Sequence, residues 1–239
     1  MPIPSLLMKM SHRIEVVTVV AIGIIAGALW AFIALSDEML EGDLHGFDEA
    51  VLLALRTPGD PSNAIGGPQI EVAMRDLTAL GGVTVLTFIS LSVLAYMLLL
   101  RQRSSAIFLG VAISGGLLLS NLAKYGFSRP RPDLVPHGVD AVTASFPSGH
   151  SMMAAVTYLT LAVMLARTAP QIRMRVFYIV LASIMTVLVG VSRVYLGVHW
   201  PSDVLAGWAL GAAWALIVWL IARTLAQRGQ IEPDCDQDI

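Results

Sequence analysis

The chain has 239 residues, 56% of them hydrophobic and only 13% charged, with a formal net charge of −2. A soluble domain carries about 25% charged residues, so this is the composition of a membrane protein, and the near-neutral balance argues against a general nucleic-acid binder. The single cysteine, Cys235, excludes an internal disulfide.

Residues 1–13 are short and basic, with Lys9 and Arg13. The uncharged run 16–35 follows and has about the length needed to cross a bilayer. It reads as an anchor and not as a cleaved signal, because it is long for a signal core and leads into acidic residues. An outer loop is expected over 36–76, rich in acid (Asp37, Glu38, Glu41, Asp43, Asp48, Glu49) and in Pro and Gly. Within it, Phe47, Val51, Leu52 and Leu55 form a helical stripe. That stripe fits either a helix at the membrane surface or a helix packed on top of a bundle.

A second span is expected at 77–100, followed by a tight basic turn at Arg101 and Arg103. A third is expected at 104–123, where Gly110, Gly115 and Gly116 permit close helix contact. The prolines at 130, 132 and 136 make 124–147 a loop. Spans at 148–166, 176–192 and 204–222 complete the set, with a basic turn at 167–175, a Gly207/Gly211 small-residue pair in the last span, and a polar tail over 223–239. The expected fold is all-α: one integral membrane domain over 1–239, a six-helix bundle. With six spans, the N-terminus, Arg101/Arg103, Arg167/Arg173/Arg175 and Arg223/Arg228 share one side, which the positive-inside rule assigns to the cytoplasm. Both termini are then cytoplasmic. The 36–76 loop, the 124–147 loop and the 193–203 turn share the outer side.

Three polar clusters therefore meet at one face. In Lys124-x6-Arg131-Pro132, two cations at a span end suit an anion such as phosphate, although lone basic residues at span ends also simply snorkel. Arg129 repeats the Arg-Pro pattern and fits a clamp residue, a substrate contact or a surface charge. In Pro147-Ser148-Gly149-His150, the free N–H groups of a helix start can bind an anion, and Gly149 lets the backbone approach. In Ser192-Arg193-x5-His199-x3-Asp203, His199 and Asp203 lie four apart on one helical face. Arg193 and His199 require a turn between them, for which Gly197 is suited, and Pro201 suits the first position of the next helix. His199 fits a nucleophile or general base held by Asp203; a structural Arg193–Asp203 pair with a hydrogen-bonded His199 is the alternative. Neither a His-x-x-x-His pair nor a carboxylate cluster accompanies the histidines, so the pattern indicates no zinc or magnesium site and no cofactor.

Taken together, the three clusters resemble the three-part signature of the type 2 phosphatidic acid phosphatase superfamily, which also includes vanadium haloperoxidases and bacterial acid phosphatases. The motifs occupy 124–203, and the six-span layout is similar to the family's membrane lipid phosphatases. The resemblance implies that His199 attacks phosphorus and forms a phosphohistidine, and that Asp203 orients it. It further implies that Lys124, Arg131 and Arg193, helped by Ser148 and the Gly149 backbone, bind the phosphate oxygens. His150 would protonate the leaving oxygen and then assist water.

The expected activity is that of a metal-independent lipid phosphate or pyrophosphate phosphatase in the cytoplasmic membrane of a bacterium. Its site would face outward, and its substrate would be a bilayer lipid such as undecaprenyl pyrophosphate, phosphatidylglycerol phosphate or phosphatidic acid. Carrier recycling in the cell envelope is the favoured use. A lipid phosphotransferase using the same site is the alternative, and a non-catalytic transporter of anionic lipid a more distant one.

Overall fold

The computed structural model describes residues 3–136 and 144–227, with side chains described from 16 to 226. The side chains of Lys9 and Arg13, the middle of the 124–147 loop, and the tail beyond Gln227 with Arg228 and Cys235 lie outside the described residues.

Eight helices and one small hairpin make up the described chain. In order they are α1 (Ile3–Glu41), α2 (His45–Ala54), β1 (Arg56–Thr57), β2 (Asp60–Ala64), α3 (Gly67–Ala79), α4 (Val83–Leu99), α5 (Arg103–Gly126), α6 (Gly149–Thr168), α7 (Ile172–Tyr195) and α8 (Pro201–Gln227). Five helices are long and apolar enough to cross a membrane alone: the Val16–Glu41 part of α1, α5, α6, α7 and α8. A sixth crossing is reached by counting α3 and α4 together, which meet at a 46° bend. The run expected as one span at 77–100 is thus broken at Leu80–Gly82. The break sits at Gly81 and Gly82, where the chain packs closely: a Cβ on Gly81 would lie 2.4 Å from Val189 Cγ1 and 3.4 Å from the Cβ of His150.

Small residues set the helix spacing. A Cβ on Gly207 would sit 2.7 Å from the Ser148 carbonyl oxygen, and one on Gly211 2.6 Å from that of Met152, so the Gly207/Gly211 pair seats α8 directly on the α6 backbone. Gly115 and Gly116 admit Trp214 and Val156, whereas Gly110 only meets Leu94 at 3.8 Å. Helices α6 and α8 are the most enclosed, and α1 packs on α8 with most of its surface outward.

The 36–76 segment holds more structure than a loop. Helix α2 is the expected amphipathic stripe, and it packs on the bundle: Leu52 is fully buried in a cluster with Val135, Val194, Trp200 and Val204. Pro58 and Gly59, with Gly59 at φ 83°, close a tight turn that pairs Arg56 with Ala64 and Thr57 with Asp60. This hairpin is the one departure from an all-helical chain among the described residues. Arg56 Nη2 donates to the Tyr195 carbonyl at 2.9 Å and fastens the hairpin to the last turn of α7.

Candidate active site

Antiparallel packing brings the C-terminal ends of α5 and α7 beside the N-terminal ends of α6 and α8. All three sequence clusters therefore meet at one end of the bundle. They surround a cavity of about 350 Å³ lined by Lys124, Arg131, Gly149, His150, Arg193 and His199. The remainder of the lining runs between α4, α5 and α6 and is mostly apolar, with Val83, Leu86, Ile113, Leu117 and Met153; Thr87, Ser120 and Asn121 add polar groups. Among the described residues, three cations line this space and no carboxylate does.

The turn between α7 and α8 is made by Gly197, at φ 72°, where an added Cβ would come within 2.6 Å of Val135 Cγ2. It delivers His199 just ahead of α8, which starts at Pro201. Asp203, in the first turn, accepts at Oδ2 from the Trp200 backbone N–H at 2.9 Å, the reach-back half of a capping box. The same oxygen accepts from Ser145 Oγ and lies 3.4 Å from His199 Nδ1. On the other side of the ring, Arg131 Nη1 stands 3.2 Å from Nε2 and donates to the Val198 carbonyl at 2.7 Å. A guanidinium has only donors, so Nε2 presents its lone pair and the ring proton sits on Nδ1, toward Asp203. Burial pushes the His199 pKa down to about 4; Asp203 opposes the shift, and Arg193 and Arg131 add to it. The ring is therefore neutral at neutral pH.

Arg193 is buried and donates from Nη1 to Thr78 Oγ1 at 3.0 Å, so it is held by α3 and not by Asp203. Lys124 reaches the Ala144 carbonyl at 3.5 Å and lies against Gly149, where an added Cβ would be 3.3 Å from Lys124 Cε. Ser148 is the N-cap of α6. It is fully buried, its Oγ accepts from Ser151 Oγ at 2.9 Å, and it stands behind the cavity wall formed by Gly149 and His150.

Arg129 resolves into none of its three sequence readings. Its Nη1 donates to Asp203 Oδ1 at 2.7 Å and its Nη2 to Asp48 Oδ2 at 2.6 Å, while the guanidinium lies 5.5 Å from the Trp200 ring centroid. Asp48, from α2, is fully buried and also accepts from Ser202 N at 2.9 Å and Ser202 Oγ at 2.6 Å. Sequence reasoning missed Asp48, Ser145 and Thr78. For Asp48 a signal existed: it sits four residues before Leu52, on the apolar face of the α2 stripe, where an unpaired acid is costly. Ser145 and Thr78 carry no such signal.

The chain is similar in sequence and in fold to known proteins. A family model described as the PAP2 superfamily matches residues 105–227. Phosphatidylglycerophosphatase B of Bacillus subtilis is 36% identical over 146 residues, 60% of this chain and 71% of that protein. An undecaprenyl-diphosphatase of Sulfolobus acidocaldarius is 37% identical over 120 residues, 47% of this chain and 52% of its own length. The crystal structure of a transmembrane PAP2 type phosphatidylglycerolphosphate phosphatase from Bacillus subtilis superposes with a TM-score of 0.71 at 28% identity, covering 86% of this chain and 96% of that one. The matched stretch runs from α5 through α8 and takes in every clustered side chain from Lys124 to Asp203; the chain belongs to the PAP2 superfamily.

Proposed function

We propose that this membrane lipid phosphatase cleaves the terminal phosphate from a bilayer lipid through a phosphohistidine on His199. The observation that carries the reading is the cavity itself. Its head is cationic and its body is an apolar slot between helices, so its two halves match a phosphate group and the lipid chain attached to it. Lys124, Arg131 and Arg193 neutralise the phosphate oxygens, the main demand of phosphoryl transfer. His199 Nε2 attacks phosphorus with its lone pair, and Asp203 stabilises the imidazolium that results. His150 gives a proton to the leaving lipid oxygen, takes one from water in the second step, and free phosphate departs. Gly149 brings backbone N–H groups at the α6 start close to the anion.

Phosphatidylglycerol phosphate is the substrate we rank first, because the Bacillus subtilis relative named for it shares the longer match; undecaprenyl pyrophosphate follows. The site faces the extracytoplasmic side of the membrane, a reading supported by arginines 101, 103, 167, 173 and 175 lying in or within a few residues of the α4–α5 and α6–α7 turns, at the opposite end of the bundle. The test is phosphate release by purified protein in detergent across phosphatidylglycerol phosphate, undecaprenyl pyrophosphate and phosphatidic acid, with His199→Ala beside wild type. Free phosphate from at least one lipid and none from the variant is expected. Full activity in His199→Ala overturns the mechanism, and phosphate appearing only on a second lipid makes the protein a phosphotransferase.

A further inference from the structure

Helices α3 and α7 meet along one face of α7. Val189 and Arg193 are four residues apart and share that face. Val189 packs on Gly81, and Arg193 Nη1 donates to Thr78 Oγ1 at 3.0 Å. Both partners in that bond are shut away from solvent, Thr78 at 6% exposed and Arg193 at 3%. Thr78 lies outside the 105–227 stretch that the family model matches.

Thr78 is itself firmly placed. It stands in the last turn of α3, and its carbonyl accepts from the Gly81 N–H at 3.0 Å to close the elbow between α3 and α4. Tyr158, on α6, donates from its hydroxyl to the Leu80 carbonyl at 2.7 Å. Gly81 lies so near His150 that an added Cβ would be 3.3 Å from its carbonyl oxygen. The elbow is therefore pinned to both α6 and α7, and a side chain on it sets the position of whatever it bonds. Arg193 is such a group. Its side chain is long and has many rotamers to choose among, yet a planar guanidinium grips a phosphate with two parallel bonds only when its plane is correctly turned. Arg193 lines the cavity, and its Nε is buried with no hydrogen-bond partner among the described residues. A buried donor in that state is costly until an acceptor arrives.

We propose that Thr78 is a positioning residue of the phosphate site. Its hydroxyl, by accepting from Nη1, fixes the plane of the Arg193 guanidinium and leaves Nε and Nη2 as the fork for two phosphate oxygens. The hydroxyl touches neither substrate nor reacting atom and acts through Arg193. The α3–α4 elbow thus contributes to the site as well as bending the chain. The proposal rests on the reading of Arg193 as a phosphate ligand.

The test uses the full chain in non-ionic detergent. Orthovanadate, a tetrahedral oxyanion like phosphate, is titrated by calorimetry. Phosphate release is followed with whichever lipid of the panel above is hydrolysed fastest. Thr78→Val keeps the shape of the side chain and removes the acceptor. Its Kd for vanadate is expected to rise roughly 10- to 100-fold, and its kcat/KM to fall by a similar factor, as the loss of a bond to a charged group and of a fixed geometry brings about. Thr78→Ser restores the acceptor, and both quantities should return to within about threefold of wild type. An unchanged Kd in Thr78→Val overturns the proposal. So does an equal loss in Thr78→Val and Thr78→Ser, which would mark Thr78 as packing alone. Arg193→Ala separates this proposal from the reading beneath it. Vanadate bound by Arg193→Ala as by wild type refutes Arg193 as a phosphate ligand and takes Thr78 with it. Loss of binding in Arg193→Ala beside an unchanged Thr78→Val refutes Thr78 alone. Should Thr78→Val fail to fold, Thr78→Ala is read by the same criteria.

Discussion

Asp48→Ala tests whether α2 holds the start of α8 in place. The Asp48 carboxylate is fully buried, pairs with Arg129 at 2.6 Å, and accepts from both the N–H and the hydroxyl of Ser202. Removing one partner of a buried ion pair costs about 3–5 kcal/mol, and leaving the Ser202 N–H without an acceptor costs about 1–3 kcal/mol. The two overlap, because Arg129 Nη1 also donates to Ser202 Oγ, and Arg129 retains Asp203. About 4 kcal/mol is therefore expected. At about 2–4 °C per kcal/mol for a chain of this size, the melting temperature falls by roughly 10 °C. Ser202 and Asp203 share the first turn of α8, so the His199–Asp203 geometry loosens as well. We expect kcat to fall roughly 10- to 100-fold with KM little changed. Asp48→Asn keeps an acceptor for Ser202 but loses the charge, and should fall between. Melting by tryptophan fluorescence and phosphate release at saturating lipid are measured on the same sample. Asp48→Ala within about 2 °C of wild type, with kcat unchanged, refutes the reasoning.

Three further outcomes are expected. Because His199 is neutral in the fold with its pKa pushed down to about 4, the unfolded chain binds an extra proton between about 4 and 6.5. This contribution to stability is complete above about 6.5 and is lost as pH falls toward 4, on the order of 3 kcal/mol. The melting temperature of His199→Asn should therefore drop by several degrees less than that of wild type between pH 7 and pH 4, and parallel curves would contradict the burial argument. Gly190→Ala places a Cβ 2.2 Å from Trp208 Cζ2 and 2.6 Å from Val204 Cγ1; overpacking of this kind costs about 1–3 kcal/mol, read as a lower melting temperature. Leu117→Trp fills the apolar part of the cavity, so kcat/KM for a long-chain lipid phosphate should fall at least roughly tenfold while a short-chain soluble phosphate ester is hydrolysed within about twofold of wild type. Equal losses on both would place the lipid chain elsewhere.

The legible parts of this molecule are those whose physics is local. Long apolar runs locate α1, α5, α6, α7 and α8, since a bilayer dictates about 20 apolar residues per crossing. The turn at Gly197, the helix starts at Pro201 and next to Ser148, and the His199–Asp203 pairing follow from backbone preferences and four-residue spacing, and each is present. The α3–α4 bend was not read from the sequence; the chain bends where Gly81 packs against Val189 and His150, about 70 to 110 positions further along, and nothing near Gly81 in sequence names those neighbours. Arg129 was ambiguous for the same reason. Its two carboxylate partners are 81 and 74 residues away, and nothing near it in sequence names them.

The Asp48–Arg129–Asp203 arrangement also explains how a buried carboxylate remains available to a histidine. Asp203 is fully buried, and its two oxygens have different neighbours: Oδ1 takes Arg129, while Oδ2 takes Trp200 N–H and Ser145 Oγ and faces His199. A charge buried in this way is tolerable only when it is paired and hydrogen-bonded. Arg129 supplies the pairing from outside the cavity, leaving Arg131, Lys124 and Arg193 as the cations that line it. Asp48 in turn holds Arg129 and accepts the Ser202 N–H, one of the first N–H groups of α8, which have no acceptor within the helix. Yet Asp48 lies outside the 105–227 stretch that matches the family. The 36–76 segment therefore does more than cover the site. In this chain an acid on α2 belongs to the support of the His199–Asp203 pair, and an exchange of residues 36–76 with a relative's should preserve the pair only where the incoming helix brings a carboxylate to the same place.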